Sequence, residues 1–572
     1  MCGIVACLQT DQSACLWDGA SPPQALITKA KQLSDRISHR GPDETGVTFD
    51  PTPKNGFWMG HTRLSIVSPT NGKQPLQNKS SDTFVICNGE IYNHKELTKT
   101  LDLDPASFST KSDSEVIIHA YSKIGVDVCE KLLGMFAFVL VDQSDPAKTQ
   151  FLACRDKIGV KPLYLGKSKK DSKIVYFASE LKAIVDQCDP SDLISVPAGH
   201  YWTPETGLVK YYFPKWDVED YKKGSNKFVS GDECVKALED AVISRCMADV
   251  EIGLLLSGGL DSSIIGAIMH QENVRKHLTA TKGKIKSFAV GQEGSPDILA
   301  ARCVSKFLGT EHFEALFTPS MAFEILEDVV YHMETFEPEL IRSCIPNYFL
   351  ARETSKHVKV VLTGEGSDKI RSGYLYFGDC KDKMDLQNEN RRILNAVQHA
   401  NLARCDRMTM AHSLEARVPF FDVENLAQAM AVDPEAKLML NGKCEKHMLR
   451  TMYKDVIPEE VVWRTKAMQC EGVGMSWVKT LQDHISNNLV TDEEYSKRAA
   501  QFPSNTPQTK EEFYYRKIFE KHYSGCEQFV WVWPEGCRAG GASFKSKQYT
   551  REGLVDTTSL KKGFGLAKYI TQ

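Results

Sequence analysis

The chain has 572 residues, of which 42% are hydrophobic and 25% charged, with a net charge of −4 and an isoelectric point near 6.5. That length is too great for one hydrophobic core, so two or three soluble domains are expected, and the weak negative charge leaves no basic surface for nucleic acid. The apolar stretches are too short to cross a membrane, so no membrane segment is expected. The 17 cysteines and 15 histidines lack the spacing of metal ligands, so no structural metal is expected. The chain shows no secretory signal pattern, which favours a cytoplasmic protein.

Short strands and two helices are predicted for residues 2–205, the first domain. Strand patterns lie at 2–8, 58–67, 83–91, 135–141, 150–155, 163–166 and 174–178, and helical patterns at about 23–38 and 113–123. Because the strands follow one another without regular helical crossovers, antiparallel sheets packed in layers are expected. Residues 206–229 have no clear periodicity and are predicted to connect this domain to the next.

Strands and helices alternate in the second predicted domain, residues 230–535. The pattern gives helix 231–247, strand 252–256, a helix through 269, strand 285–291, helix 297–307, strand 313–317, helices at about 319–333 and 343–355, and strand 358–362. Such alternation predicts a doubly wound parallel sheet with ligand sites at the carboxyl ends of its strands. A mostly helical extension follows from about 385, and residues 536–572 are expected to form a loosely packed tail.

Cys2 is a candidate nucleophile at the start of the chain. Removal of the initiator methionine would leave a thiol and a free α-amine on one residue, so nucleophile and base come together. An amide hydrolase also needs a cation for the substrate α-carboxylate, an anion for its α-amine, and donors for the developing oxyanion. Arg63 suits the first role, Asp113 the second, and the Asn88 side chain with the Gly89 N–H the third.

Five motifs of this half resemble a known family. They are Met1 to Ile4, His39 to Asp43, His61 to Leu64, Asn88 to His94, and Arg155-Asp156. In this order they resemble the glutaminase domain of class II glutamine amidotransferases, an amino-terminal-nucleophile fold built as a four-layer αββα sandwich. The resemblance implies that Cys2 attacks the side-chain amide of glutamine. It also implies five substrate contacts, Arg63, Asn88, Gly89, Glu90 and Asp113.

A turn rich in glycine and serine, Ser257 to Ser263, follows the predicted strand 252–256 and opens a helix. Backbone N–H groups at such a helix start bind anions, and the serine hydroxyls add donors. The turn lacks the GxxxxGK[ST] pattern of a Walker loop. It resembles the pyrophosphate-binding loop of enzymes that cleave ATP between its α and β phosphates. The candidate nucleotide contacts are Leu255, Ser257, Gly258, Gly259, Asp261, Ser262, Val290, Thr363, Gly364 and Lys466.

A second, acidic turn, Gly364 to Asp368, follows the predicted strand 358–362, so the parallel sheet brings it beside the first turn. Asp261 and Asp368 are candidate ligands for Mg²⁺, which would bridge the phosphates of ATP. Glu365 is a candidate general base for the attacking ammonia, and Lys466 is a candidate cation for the departing pyrophosphate.

The order of all these parts resembles the glutamine-hydrolysing asparagine synthetases over residues 2 to about 525. The resemblance implies that ATP and aspartate give β-aspartyl-AMP. Ammonia from glutamine then gives asparagine, AMP and pyrophosphate. It also implies an internal ammonia tunnel and, often, a homodimer.

Three segments of the second domain depart from the family pattern. Lys369 stands where an acid is usual, Arg371 where a less charged turn is usual, and residues 467–471 and 334–342 also differ. These changes leave open a related amidotransferase with another carboxylate acceptor, or a glutaminase-competent relative that has lost synthesis and serves as a regulatory binding protein. A wholly non-catalytic interaction protein is a further hypothesis. The argument against it is that five residues with chemical roles are intact: Cys2, Asp261, Glu365, Asp368 and Lys466.

Overall fold

The computed structural model describes residues 2–11, 16, 23–50, 56–78, 82–145, 148–217, 229–439, 443–464, 466, 472–474 and 477–531. The predicted tail at 536–572 and the altered segment 467–471 lie outside these residues. Within the described ranges, no helix has the length and apolar character needed to cross a membrane.

Two antiparallel sheets form the amino-terminal half. Its strands are β1 (Cys2–Gln9), β2 (Glu44–Asp50), β3 (Phe57–Arg63), β4 (Leu76–Asn78), β5 (Thr83–Ile91), β6 (Gly134–Asp142), β7 (Gln150–Arg155), β8 (Tyr164–Lys167), β9 (Ile174–Ala178), β10 (Ile194–Ser195), β11 (His200–Thr203) and β12 (Gly207–Lys210). Its helices are α1 (Pro23–Asp35), α2 (His94–Thr100), α3 (Val116–Ile124) and α4 (Val128–Lys131). The strand order is β10-β8-β9-β1-β3-β2 in the first sheet and β12-β11-β7-β6-β5-β4 in the second.

The two sheets pack face to face, and each has a helix on its outer face. All eight residues of β1 are buried because both faces of the strand are covered. Cys7 shares a buried cluster with Ala30 of α1, whereas Ala6 shares another with Ile86 of the second sheet. On the far side, Ile117 of α3 covers the second sheet. The predicted four-layer αββα sandwich is confirmed.

A parallel sheet forms the core of the carboxyl-terminal half, with strand order β15-β14-β13-β16-β17. Its strands are β13 (Ile252–Leu255), β14 (Lys286–Gly291), β15 (Glu311–Leu316), β16 (Val360–Leu362) and β17 (Glu415–Arg417). The helices are α5 (Gly231–Ser244), α6 (Leu260–His270), α7 (Glu272–Arg275), α8 (Pro296–Leu308), α9 (Pro319–Glu324), α10 (Leu326–Met333), α11 (Pro338–Thr354), α12 (Ser367–Ile370), α13 (Lys383–Ala396), α14 (Asn401–Met410), α15 (Val423–Ala431), α16 (Pro434–Lys437), α17 (His447–Met452), α18 (Glu459–Val462), α19 (Trp477–His484), α20 (Asp492–Ser496), α21 (Arg498–Gln501) and α22 (Lys510–Tyr523).

Helices cover both faces of the parallel sheet. On one face, Leu254 and Ile264 of α6 belong to the same buried hydrophobic cluster. On the other face, Val361 and Ile341 of α11 belong to a second cluster. The predicted doubly wound arrangement is confirmed. It places the two glycine-containing turns after β13 and β16, at the same edge of the sheet.

Some elements differ from the sequence prediction. The predicted helix 319–333 is divided into α9 and α10 at Ile325, which has φ −101° and ψ 5°. Strand β12 lies inside the predicted connection and pairs with β11, so the second sheet continues to Lys210. Strand β17 was also missed, because its three residues, Glu415 to Arg417, are mostly charged and yet buried. Such a short strand forms only against a neighbour that the local sequence does not specify.

Buried ion pairs join the two halves. Arg40 Nη1 lies 2.6 Å from Glu180 Oε1, and Arg40 Nη2 lies 2.9 Å from Asp406 Oδ2 on α14. Lys182 contacts both Glu180 at 2.6 Å and Glu334 of the second half at 2.9 Å. Because removing one partner would leave an uncompensated buried charge, these pairs hold the halves in one arrangement.

Candidate active sites

Cys2 opens β1 opposite Arg63, its register partner on β3. The Cys2 backbone N–H donates to Asn88 Oδ1 at 3.1 Å, and the Cys2 carbonyl accepts from Arg40 Nε at 3.1 Å. Burial raises the pKa of the Cys2 thiol, and the amino terminus and Arg63 oppose this only in part. The thiol is therefore neutral at rest and needs a base at the moment of attack.

Asn88 and Gly89 supply donors next to Cys2. The Asn88 side chain is fully buried, and its Nδ2 has no hydrogen-bond partner in the described part of the chain. Gly89 has φ +140°, and a Cβ there would lie 1.9 Å from the Met135 carbonyl oxygen. Only glycine fits the backbone at position 89. The Asn88 amide, a buried donor without a partner, is suited to an incoming oxyanion.

Two buried carboxylates, Glu90 and Asp113, lie beyond these donors. Asp113 Oδ2 accepts from the Ile91 N–H at 2.6 Å, while Glu90 Oε2 has no hydrogen-bond partner among the described residues. Burial raises the pKa values of both carboxyls. A cationic group entering this pocket would offset that cost, so the pair suits the α-ammonium group of an amino acid.

Arg63 is held by the protein itself. Its Nη1 lies 2.7 Å from Glu44 Oε2 and donates to the Pro69 carbonyl at 3.3 Å. Its Nη2 donates to the carbonyls of Ser68 at 2.7 Å and Val67 at 3.2 Å. Both terminal nitrogens of the predicted carboxylate clamp are thus engaged, so contact with a substrate carboxylate would use Nε or displace one of these partners.

Strand β17 brings the second half of the chain to this pocket. Arg417 is fully buried, with its Nε 2.5 Å from Glu415 Oε1 and its Nη2 3.5 Å from Glu90 Oε1. The Arg417 carbonyl accepts from the Thr363 N–H at 3.1 Å. Although burial opposes it, the amino terminus and Arg417 hold the pKa of Glu415 at about 2. Arg417 therefore touches the first candidate site with its side chain and the second with its backbone.

The turn after β13 has the form of an anion cradle. Gly258 has φ +67°, and a Cβ there would lie 2.3 Å from the Ala300 carbonyl carbon, so the tight turn requires glycine. Ser257 Oγ accepts from the Gly259 N–H at 3.3 Å and lies 3.2 Å from Ser262 Oγ. Helix α6 begins directly after this turn, so its first N–H groups and the two hydroxyls converge there.

The turn after β16 lies against the first turn. A Cβ on Gly364 would lie 2.6 Å from the Ser262 nitrogen, so the two backbones are in close contact. Thr363 Oγ1 accepts from the Glu365 N–H at 3.3 Å. Leu255 ends β13, and Val290 lies at the carboxyl end of β14, next to the cradle.

Two lysines bridge the two aspartates of these turns. Lys446 Nζ lies 2.5 Å from both Asp261 Oδ2 and Asp368 Oδ1. Lys466 Nζ lies 2.9 Å from Asp368 Oδ2 and 3.9 Å from Asp261 Oδ2. Although burial raises it, Lys446 and Lys466 hold the pKa of Asp368 far below its usual range. The Asp368 carboxylate is therefore ionised beside the cradle, as a metal ligand must be.

Glu365 faces two cations. Lys369 Nζ lies 2.7 Å from its Oε1, and Arg404 Nη2 of α14 lies 2.6 Å from its Oε2. Burial would raise the pKa of Glu365, but these two cations lower it to about 2. Glu365 is therefore a carboxylate throughout the physiological range, able to accept a hydrogen bond or a proton but with low basicity.

Both halves of the chain match known protein families. Residues 1–204 match the glutamine amidotransferase domain family, and residues 233–393 and 379–552 match the asparagine synthase family. Asparagine synthetase [glutamine-hydrolyzing] 2 of Arabidopsis thaliana is 40% identical over 91% of this chain and 88% of its own length. The protein of the same name from Oryza sativa subsp. japonica is 39% identical over 91% and 86%. A probable asparagine synthetase [glutamine-hydrolyzing] of Dictyostelium discoideum is 39% identical over 93% and 96%.

The chain belongs to the glutamine-hydrolysing asparagine synthetases. The structure of this synthetase gathers the site residues predicted from sequence into two groups. Cys2, Asn88, Gly89, Glu90 and Asp113 lie together where β1 begins and β5 ends, with Arg63 opposite Cys2 on β3, and this group is the glutamine pocket of the proposal below. The second group consists of Leu255, Ser257, Gly258, Gly259, Asp261, Ser262, Val290, Thr363, Gly364, Glu365, Asp368 and Lys466.

Four residues of this synthetase reach the sites without having been predicted there: Arg40, Arg404, Arg417 and Lys446. Arg40 lies in the His39 to Asp43 motif that carried the family resemblance, but the motif by itself gave Arg40 no role. Arg417 lies in strand β17, which the sequence pattern did not show. Arg404 and Lys446 lie far along the chain from the groups they contact. No local pattern points to such long-range pairs, because helix packing alone sets the distance.

The departures from the family pattern have different surroundings. Lys369 is buried against Glu365, as described above. Arg371 is also buried, and its Nη1 lies 3.4 Å from Cys234 Sγ. This places Arg371 among residues that do not belong to either candidate site. Residues 467–471 lie outside the described part of the chain.

Proposed function

We propose that this chain makes asparagine from aspartate, with ATP as the activating substrate and glutamine as the nitrogen donor. Glutamine is hydrolysed to glutamate and ammonia at Cys2. ATP and aspartate give β-aspartyl-AMP and pyrophosphate at the second site, and ammonia displaces AMP to give asparagine. Support comes from family membership and from two groups of side chains with the chemistry that each half-reaction requires.

In the first half-reaction, Cys2 Sγ forms a bond to the glutamine amide carbon, and its proton passes to the α-amine of the mature chain. Asn88 Nδ2 and the Gly89 N–H stabilise the oxyanion. The C–N bond then breaks, the protonated leaving group departs as ammonia, and water cleaves the thioester to glutamate. Glu90 and Asp113 hold the α-ammonium group of the substrate, and Arg63 its α-carboxylate.

In the second half-reaction, the turn Ser257 to Ser262 binds the phosphates, and Leu255, Val290, Thr363 and Gly364 line the nucleotide site. Lys466 offsets charge on the departing pyrophosphate. Glu365 receives the proton that ammonia loses as its nitrogen bonds to the acyl carbon.

Asp261 and Asp368 have the donor set of a magnesium site. Mg²⁺ commonly takes one or two protein carboxylates and completes its shell with phosphate and water oxygens. Asp261 Oδ1 is buried and has no hydrogen bond within the described residues, so one oxygen remains for a cation. When bound there, Mg²⁺ would neutralise phosphate charge as the Pα–O bond breaks.

The observation that carries this proposal is the position of Arg417. Its side chain lies 3.5 Å from Glu90 in the glutamine pocket, and its carbonyl accepts from Thr363 at the nucleotide turn. One buried residue thus spans both pockets, which is the arrangement expected when ammonia made at one is consumed at the other. No observation favours a different acceptor carboxylate or a regulatory relative without synthesis.

The test is to incubate the purified chain with ATP and glutamine, with and without aspartate. AMP and pyrophosphate should form only with aspartate, together with asparagine and glutamate. Cys2→Ala should abolish glutamate release but retain synthesis from ammonium chloride. Formation of ADP, or ATP cleavage that does not respond to aspartate across a panel of amino acids, would rule out the proposed acceptor chemistry.

The cytosol is the compartment we propose. At the described positions the cysteines are free thiols, which suits a reducing environment.

Assembly as a homodimer stays a prediction from the family resemblance, and sedimentation of the purified chain would test it.

A further inference from the structure

Lys369 lies behind the Glu365 carboxylate. Its side chain keeps 3% of its surface exposed, against 16% for Glu365, and the two residues are four positions apart across the start of α12. The Lys369 ammonium meets Oε1, while Arg404 meets Oε2 from α14. Both oxygens of one carboxylate are thus bound by cations that come from different elements.

Two further groups hold the Lys369 ammonium in place. With its amide oxygen turned toward the cations, Asn401 accepts from Lys369 Nζ at 3.0 Å and from Arg404 Nη2 at 3.1 Å. The ring centroid of Tyr374 lies 5.2 Å from Lys369 Nζ, within cation–π distance. A buried ammonium is stable only with such partners, so Lys369 has one well-defined position.

We propose that Lys369 is a positioning residue for nitrogen transfer: together with Arg404 it fixes the Glu365 carboxylate in the orientation in which it meets the attacking ammonia. This inference rests on the proposed function. A carboxylate held at both oxygens cannot rotate about its terminal bond, so its free lone pairs keep one direction. Without Lys369, Oε1 keeps only the Gly366 N–H, which donates to it at 3.2 Å, and Arg404 still holds Oε2. The carboxylate then has fewer restraints on its orientation, and that change in geometry slows a step that depends on alignment.

The charge at position 369 decides this arrangement. An acid there would put a like charge one helical turn from Glu365. The base that stands there attracts the carboxylate instead, with 2.7 Å between Lys369 Nζ and Glu365 Oε1.

The experiment separates activation from nitrogen transfer in the full-length chain. Aspartate-dependent exchange of labelled pyrophosphate into ATP reports formation of the acyl-adenylate, and asparagine formation from ammonium chloride reports the later step. Lys369→Met removes the ammonium but keeps the length of the stem. We expect kcat for ammonia-dependent synthesis to fall roughly tenfold to a hundredfold, with exchange reduced less than about threefold. Lys369→Arg should restore a large part of kcat.

A matched control is Lys479→Met, which breaks another lysine–carboxylate pair four residues apart, with Asp483, where the side chains are 74% and 59% exposed. It should leave both reactions unchanged. Glutamine hydrolysis and the melting temperature show whether each variant is folded. Should Lys369→Met fail these checks, Lys369→Gln, which keeps a hydrogen-bond donor, is measured in its place.

Equal loss of exchange and synthesis in the folded Lys369 variant would overturn the inference, because Lys369 would then serve the whole site. Unchanged synthesis would overturn it as well. Absence of aspartate-dependent exchange in the unsubstituted chain is a distinct result. It would overturn the proposed function, and with it the nitrogen-transfer role of Lys369.

Discussion

Replacing Asn88 by alanine tests the oxyanion site. The fully buried Nδ2 has no hydrogen-bond partner in the described residues, so its donor is available to the transition state. Loss of one such donor lowers kcat by about 10²–10³, or about 2.7–4 kcal/mol of transition-state stabilisation. The variant also removes the acceptor for the Cys2 N–H, 3.1 Å away, so stability should fall by about 1–3 kcal/mol.

The assay is glutamate release from glutamine, measured beside ammonia-dependent asparagine synthesis. Only the first should decline in Asn88→Ala. Asn88→Asp keeps an acceptor for the Cys2 N–H but puts negative charge beside the oxyanion. It should therefore recover part of the stability and lose at least as much glutaminase activity.

Gln74→Ala is the matched control for a buried amide. Gln74 Oε1 accepts from the Cys87 N–H at 2.7 Å, and its Nε2 donates to the Cys87 carbonyl at 3.2 Å, so both ends are bonded to the backbone. This variant should lose stability with little change in kcat. The oxyanion assignment is refuted if Asn88→Ala and Gln74→Ala have the same glutaminase kcat, or if Asn88→Ala loses ammonia-dependent synthesis in parallel.

Two other predictions concern the same site, and a third concerns His61, a buried residue of β3. Gly89→Ala should abolish glutamate release and spare ammonia-dependent synthesis, because a Cβ would meet the Met135 carbonyl at 1.9 Å; normal glutamine turnover would contradict this. Asp113→Asn keeps an acceptor for the Ile91 N–H but loses the negative charge. The KM for glutamine should therefore rise roughly tenfold or more in steady-state assays. An unchanged KM would show that Asp113 does not contact the substrate. Burial lowers the pKa of His61 to about 3. Since the unfolded chain takes up this proton below pH about 6.5, stability should fall as pH drops from 6.5 toward 3, by at most about 1.4 kcal/mol per pH unit. His61→Gln should make the fall in melting temperature shallower over that range, and an identical pH profile would show that His61 is not responsible.

The sequence alone predicted most of the regular elements. Strand 83–91 and the buried strand that starts at Cys2 were predicted because each is a short apolar run bounded by turn residues. Helices α6 and α8 were predicted because each begins directly after a turn whose residues are recognisable in the sequence. Strand β17 could not be found in this way, since Glu415 and Arg417 are charged residues that become buried only when they pair with each other and with the first domain.

Sequence by itself determined the chemistry of the two sites: a thiol beside an amide and two carboxylates, and a turn of glycine and serine followed by an acidic turn. The residues of each motif are close along the chain, but Cys2 and Asn88 are 86 positions apart. The order of the motifs, through the family resemblance that it carries, is what grouped them. Only the tertiary structure decided that Lys446 lies between Asp261 and Asp368, that Lys369 and Arg404 hold Glu365 from both sides, and that Arg417 links the pockets. The physical reason is that an ion pair depends on a separation of a few ångströms between charged atoms. For residues tens to hundreds of positions apart, that separation is set by how helices and sheets pack.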